Sequence, residues 1–343
     1  STQQPTLFPY TTLFRSLPHH ERLQAMLEAW QQQGRSCVVA LVGAQGVGKS
    51  SYLVALQRRH PEQRPLLVRI PGHLSSPADL LALLRERLGL PPTEDLPGWL
   101  AHESPRLILL DGCEQLYLRV VGGGAGFETL ATLIAATAPR HAWVCAFGQL
   151  AWDRLHSQVQ GLDPFDQAFA LPTWSEAEIG ELIARRMAIS GFSCSYEDLL
   201  LDSLDGRAIH DEVVRTGERF RRLLWDYADG NPRTAMHYWL RSLVPAGEGE
   251  VRVHLFRTPD VAVLEELAAP NRFLLTALLL HRSLTAAEAS RVLRHPVEGL
   301  VALLRNLQRL GIVEETEPGS YGLSPGHAQP VMRFLRRKHL IWS

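Results

Sequence analysis

Apolar positions change their period along this chain, and the changes outline its elements. Between residues 19 and 33, Leu23, Met26, Leu27 and Trp30 recur at helical spacing, and Gly34 ends the run. Cys37-Val38-Val39-Ala40-Leu41-Val42 is uncharged and rich in β-branched residues, the pattern of a strand buried on both faces. A helical pattern follows over 52–59, and 65–70 reads as a second strand. Residues 77–88 carry the stripe Leu80, Leu81, Leu83, Leu84 and Leu88, and Pro91-Pro92 breaks it before a short helix around Trp99. Leu107-Ile108-Leu109-Leu110 is a third apolar strand, ending in Asp111. The glycine-rich joint 121–126 leads into a helix over 127–138; 142–148 and 166–171 read as the fourth and fifth strands. Strands alternating with helices predict an α/β fold, a parallel sheet covered on both faces.

Beyond residue 172 the period is helical as far as about 244, which predicts an all-α lid. Ser175 stands as N-cap with Glu178 completing a capping box. Inside this segment Gly230-Asn231-Pro232 stops one helix, and Pro232 opens the next at its first turn. Residues 251–256 alternate like a short strand. Helical patterns over 271–280, 285–293 and 296–310 then lead to a hairpin turning at Pro318-Gly319-Ser320, the order of a winged helix. A last amphipathic helix over 329–341 carries Arg333, Arg336, Arg337 and Lys338. The expected division is a P-loop nucleotide-binding domain over 17–172, a helical lid over 173–248 and a winged-helix domain over 249–343. Residues 6–16 resemble the codon-for-codon translation of a common sequencing adapter, so 1–16 is expected to be a non-native tail, with the gene continuing upstream.

Composition changes this outline little. At 343 residues and 45 % apolar the chain can bury full cores, and a net charge of −1 gives no global field towards nucleic acid or anionic lipid. Cys37, Cys113, Cys145 and Cys194 are far apart, without metal-ligand spacing, which suits a reducing cytoplasm. No apolar run reaches the ~18 residues of a membrane span. One detail is sharper: of 35 basic residues only Lys49 and Lys338 are lysines. A chain this biased towards arginine keeps a lysine where a compact ammonium is needed.

Lys49 stands in that kind of place. The first strand breaks into Gly43-Ala44-Gln45-Gly46-Val47-Gly48-Lys49-Ser50-Ser51 and a helix follows, which is the phosphate-binding loop in its strand–loop–helix setting. Its glycines let backbone N–H groups converge on phosphates at a helix N-terminus. Lys49 is then expected on the β- and γ-phosphates and the Ser50 hydroxyl on Mg²⁺. Some 60 residues later, Asp111 at the end of an apolar strand matches the second nucleotide motif and is expected to hold Mg²⁺ with Ser50. ATP and Mg²⁺ are the implied ligands.

On these motifs, from about Ala25 onwards, the chain resembles P-loop NTPases of the AAA+ and STAND types. Asp111-Gly112-Cys113-Glu114 is similar to the Asp-Gly-x-Asp pattern of the NACHT branch, which implies that Glu114 orients the attacking water. Origin-recognition-type relatives instead use adjacent Asp-Glu, and they carry a Gly-Arg-Glu box on the first helix where this chain has His20-Glu21-Arg22. The resemblance also implies a polar γ-phosphate sensor at Gln149, a Gly-x-Pro corner with Pro232 against the nucleotide, and a second sensor at Arg233. Arg140 and Arg154 are positions for a finger offered to a neighbouring subunit.

The expected function is an ATP-hydrolysing switch in which nucleotide state sets the position of lid and winged helix, with a homo-oligomer in the ATP state and an unidentified protein partner. The alternative is a DNA-associated AAA+ ATPase of the origin-recognition or transposition-helper type. From Val261 onwards there are 10 basic and 7 acidic residues, but the wing carries Glu314, Glu315 and Glu317, which would repel phosphate. The recognition-helix position offers mainly Arg305, Gln308 and Arg309, thin for base readout, so the switch is favoured. A metabolic kinase needs neither lid nor winged helix.

Overall fold

The structure, a computed structural model, describes residues 18–74, 76–158, 163–199 and 209–341; the tail expected over 1–16 lies outside them. In chain order the first part runs α1 (Pro18–Gln33), β1 (Val38–Gly43), α2 (Lys49–Arg59), β2 (Leu66–Arg69), α3 (Pro77–Leu88), α4 (Leu96–His102), β3 (Leu107–Asp111), α5 (Ala125–Thr137), β4 (Ala142–Gly148), α6 (Gln149–Gln158) and β5 (Gln167–Ala170). All five strands are parallel, in the order β2-β3-β4-β1-β5. The apolar runs over 38–42 of β1 and 107–110 of β3 follow from this: both strands are buried at every residue.

Alternate residues of β1 serve two cores. Val39 and Leu41 pack with Leu23 and Leu27 of α1 and Tyr52 and Leu53 of α2, whereas Val38, Ala40 and Val42 pack with Leu80 of α3 and Leu130 and Ile134 of α5. The glycine-rich joint proves to be more than a spacer. A Cβ on Gly126 would collide with the Leu74 carbonyl oxygen, so glycine there lets α5 start hard against the neighbouring loop. One element was not expected: α6 begins at the residue after β4, with no turn residue between strand and helix to announce it.

The next segment contains α7 (Glu176–Ser190), β6 (Ser193–Ser195), α8 (Ile209–Ala228), α9 (Pro232–Ser242), β7 (Leu243–Gly247) and β8 (Glu250–Val253). The Ser175–Glu178 capping box forms as expected. The segment is helical with one addition: β6, β8 and β7 make a small sheet that joins its two ends. Its apolar residues Ile179, Leu182, Phe220, Leu224, Tyr238 and Trp239 belong to the same core as Val39 and Leu41.

The remainder is α10 (Ala262–Glu265), α11 (Ala269–His281), β9 (Ser283–Thr285), α12 (Ala286–Leu293), α13 (Val297–Arg309), β10 (Val313–Glu317), β11 (Ser320–Leu323) and α14 (Ala328–Arg337). Helices followed by a hairpin, with β9 as third strand in the order β10-β11-β9, give the winged-helix layout. This unit has its own core, built on Leu274, Leu278, Leu300, Leu304, Leu307 and Phe334, with Leu118 reaching in from the sheet domain. Among the described residues, no helix is long and apolar enough to cross a membrane.

Candidate functional site

β1, β3 and β4 are parallel neighbours, so their carboxyl ends open on one edge of the sheet, where open α/β sheets hold ligands. A cleft of about 450 Å³ lies there, lined by Gly46, Lys49, Asp111, Glu114, Arg233 and Arg282 among others. Gly48, at φ 114, starts α2, so the first turn of that helix faces the cleft. Gly46 sits at φ 87 directly beneath the lid: a Cβ would stand 2.8 Å from both Arg233 Cβ and Asn231 Oδ1. No side chain larger than hydrogen fits, and none would favour that φ.

The lid grips the loop at two carbonyls. Asn231 Nδ2 donates to Gln45 O at 2.7 Å, while Asn231 Oδ1 accepts from the backbone N–H groups of Arg233 and Thr234 and so caps α9. Trp174 Nε1 donates to Val47 O at 3.0 Å, and Val47 itself is buried. Pro232 opens α9 as expected, and its ring lines the cleft beside Arg233, whose side chain stands at the exposed rim.

Lys49 Nζ donates to the carbonyls of Gly43 (2.7 Å) and Ala44 (2.9 Å). Burial lowers its pKa; the Glu114 and Asp111 carboxylates act in the opposite direction, and the Arg282 guanidinium adds to the lowering. Ser50 Oγ donates to Asp111 Oδ1 at 3.0 Å, so the two residues expected on Mg²⁺ meet across 61 positions of sequence. Asp111 is only 7 % exposed, and Arg69 Nε lies 3.7 Å from its other oxygen. Ser51 lines the same cleft.

Glu114, 5 % exposed, follows β3 on a single 3₁₀ turn. Its Oε2 accepts the backbone N–H of Gly148 at 3.1 Å, and its Oε1 is 3.5 Å from Arg282 Nη1. The contact between β4 and this carboxylate is therefore the Gly148 amide, not the side chain of Gln149. Gln149 opens α6, donates to Asp153 Oδ1 at 2.8 Å and borders an adjoining cavity of about 230 Å³ that also reaches Lys49 and Glu114.

Other sequence positions stand elsewhere. Arg140 precedes β4, at the opposite edge of the sheet, and its guanidinium donates to the carbonyls of Glu103 and His102. Arg154, on α6, faces α11. His20 is buried between Tyr52 (3.0 Å) and Arg59 (2.8 Å), tying α1 to α2. Two site residues lacked a functional expectation. Asn231 had a signal, since Asn before Pro is an N-cap pattern. Arg282 had none among 33 arginines.

The ensemble offers a glycine cradle at a helix N-terminus, an ammonium beside it, a hydroxyl–carboxylate pair of hard oxygens for a divalent cation, and a buried second carboxylate. Arg337 and Lys338 pair with Glu265 (3.0 and 2.8 Å), Arg333 lies 3.9 Å from Asp229 beside the Gly230-Asn231-Pro232 corner, and Arg336 lines the adjoining cavity. The wing presents Glu315 and Glu317 to solvent.

No protein-family model matches the chain, and no curated protein matches it. Among solved structures it is similar to the ORC2 protein of Aeropyrum pernix (14 % identity, TM-score 0.46, covering 94 % of this chain and 95 % of that one). It is also similar to the Walker-type ATPase PABY2304 of Pyrococcus abyssi (18 %, 0.47, 95 % and 99 %) and to RuvB of Thermotoga maritima (14 %, 0.44, 93 % and 93 %). At these scores the likenesses are ones of outline, and function rests on the geometry of the site itself.

Proposed function

We propose that the chain is an ATP-binding and ATP-hydrolysing switch of the AAA+/STAND kind, in which nucleotide state is passed to the lid and the winged-helix unit. One observation carries this: the Ser50 hydroxyl and the Asp111 carboxylate, from two separate motifs, meet at 3.0 Å beside the Lys49-bearing loop. Ser50 and Asp111 would hold Mg²⁺, which supplies positive charge to the β- and γ-phosphate oxygens. Lys49 exchanges the Gly43 and Ala44 carbonyls for phosphate oxygens. Glu114 accepts a hydrogen bond from the attacking water, whose oxygen bonds to the γ-phosphorus as the bond to the β–γ bridging oxygen breaks. ADP and inorganic phosphate leave, and the water's protons end on phosphate and solvent. Gln149 and Arg233 flank the γ-phosphate side, and Arg233 follows the lid because Asn231 ties its backbone to Gln45.

A switch is favoured over a DNA-associated ATPase because Arg333, Arg337 and Lys338 are paired within the chain and the wing is acidic. The test is calorimetric binding and steady-state hydrolysis by the full chain, with and without duplex DNA. Lys49→Ala is expected to lose binding of both nucleotides, and Glu114→Gln to keep binding while turnover falls ~10²-fold or more. Undiminished turnover in Glu114→Gln removes Glu114 from the chemistry. DNA-stimulated turnover favours the alternative.

A further inference from the structure

Among the cations that line the cleft, Arg186 and Arg233 come from the lid and one comes from outside both sheet domain and lid. Arg282 belongs to the C-terminal unit, at the junction of α11 and β9, yet its Nη1 lies 3.5 Å from Glu114 Oε1. It lines both the main cleft and the adjoining cavity, the two spaces that meet at Lys49 and Glu114.

The residues on either side hold it there. His281 is fully buried and stacks on Tyr117 (centroids 5.9 Å apart), just beyond the turn that carries Glu114, and its carbonyl accepts from Gln115 Nε2 at 3.5 Å. The Ser283 carbonyl is 3.0 Å from His73 Nε2 in the loop after β2. Between these anchors Arg282 adopts φ 67, ψ −51, the rare γ-turn conformation that a side-chain-bearing residue avoids. Glycine would serve the backbone better. An arginine kept in a strained conformation and aimed at a buried carboxylate marks a position held for its side chain.

The charges say what that side chain is for. Asp111 and Glu114 place two negative charges inside the cleft, Lys49, Arg186, Arg233 and Arg282 line it with positive charge, and Arg282 stands 3.5 Å from Glu114. The half-exposed guanidinium stands 3.5 Å from the edge of Glu114, and its planar fork suits phosphate oxygens, a stronger anion than that carboxylate.

We propose that Arg282 reads the terminal phosphate of the nucleotide in cis, from the C-terminal unit. It pairs with Glu114 when no triphosphate is bound and turns to the γ-phosphate when one is, leaving that carboxylate open to water. The proposal rests on the nucleotide-binding function above and adds the residue through which the C-terminal unit distinguishes ATP from ADP.

The test uses the full chain and its Arg282→Gly and Arg282→Lys variants, with Mg²⁺ and either ADP or adenylyl imidodiphosphate, by calorimetry and thermal unfolding. Arg282→Gly relieves the strained φ, so its Tm is expected to equal or exceed that of the wild type. The same variant is expected to bind the triphosphate analogue about 10-fold more weakly while ADP affinity stays within about 2-fold. Arg282→Lys is expected to recover part of the triphosphate affinity. Equal loss for both nucleotides, or no loss for either, overturns the proposal. So does faster ATP hydrolysis by Arg282→Gly at unchanged affinity, which would make the residue a restraint on Glu114 alone. A wild-type chain that binds neither nucleotide overturns the nucleotide function itself, an outcome the variants cannot imitate.

Discussion

The lid segment and the C-terminal unit both reach the cleft, but they are attached to the sheet domain in different ways. The lid shares its core: Phe220, Leu224, Tyr238 and Trp239 lie in one apolar cluster with Val39 and Leu41 of β1. Moving it as a body would expose that cluster to water. The C-terminal unit keeps a separate core; it meets the sheet domain at Leu118 and Val120, at the His281–Tyr117 stack, along α6 and α11 and through polar contacts at Gln115, His73 and Glu114, and it meets the lid where Tyr238 donates to Gly326 O at 2.7 Å. Polar contacts of that kind exchange with water at little net cost, about 1 kcal/mol each. The chain thus combines one arm that shares the core of the loop over 43–51 with another that has a core of its own, an arrangement that suits the switch proposed above.

The largest expected effects break each core in turn. Trp239→Ala, at a residue 1 % exposed, should cost about 3–5 kcal/mol and destabilise sheet and lid together. Leu278→Ala should cost about 2–5 kcal/mol but loosen only the C-terminal unit. Hydrogen exchange by mass spectrometry checks the pair: amides of β1 lose protection in the first variant and keep it in the second. Loss of β1 protection in both would mean a single cooperative body and would erase the contrast.

A smaller effect probes the polar attachment. Burial, with His73 beside it, holds His281 down to about 3. In the unfolded or undocked chain the ring returns to its ordinary value near 6.5, so below that pH it takes up a proton that the docked form refuses. The contribution is neutral above pH ~6.5 and becomes destabilising as pH falls towards 3, reaching about 2 kcal/mol by pH 5. Thermal unfolding from pH 7.5 to 5 should show this loss in the wild type and a flatter profile in His281→Phe, which keeps the stacked ring.

The mildest change sharpens the other side of the contrast. Asn231→Ala removes the N-cap of α9 and the bond to Gln45 O together, and should cost about 1–2 kcal/mol. Exchange at the amides of residues 44–47 should rise while those of α11 are unchanged.

What was legible in the sequence was local. The loop and its flanking elements, β3 with Asp111, β4, the Ser175–Glu178 box and the Pro232 corner each announce themselves within a dozen residues. The missed parts depend on distant partners. β6 is three residues long and exists because it pairs with β8, more than fifty positions away. α6 was hidden because β4 runs into it without a turn. Gln149 occupies the strand end assigned to it, but its amide is held by Asp153, a helical i,i+4 bond that could be foreseen only with α6 in hand. Arg282 was invisible because what distinguishes it is position: a strained backbone between two anchored neighbours, opposite a carboxylate 168 residues earlier.

The strand order has a further consequence, for synthesis. β2 and β3 can pair as soon as both have emerged, but β1, made before either, touches neither. Its neighbours are β4 and β5, beginning at residues 142 and 167, so it waits about a hundred residues for its first partner. At about 5–20 residues per second that delay is about 5–20 s. Throughout it, a fully apolar strand with free edges is attached to a growing ribosomal product. The segment that leads into the loop over 43–51 is therefore the one that holding chaperones have most reason to cover.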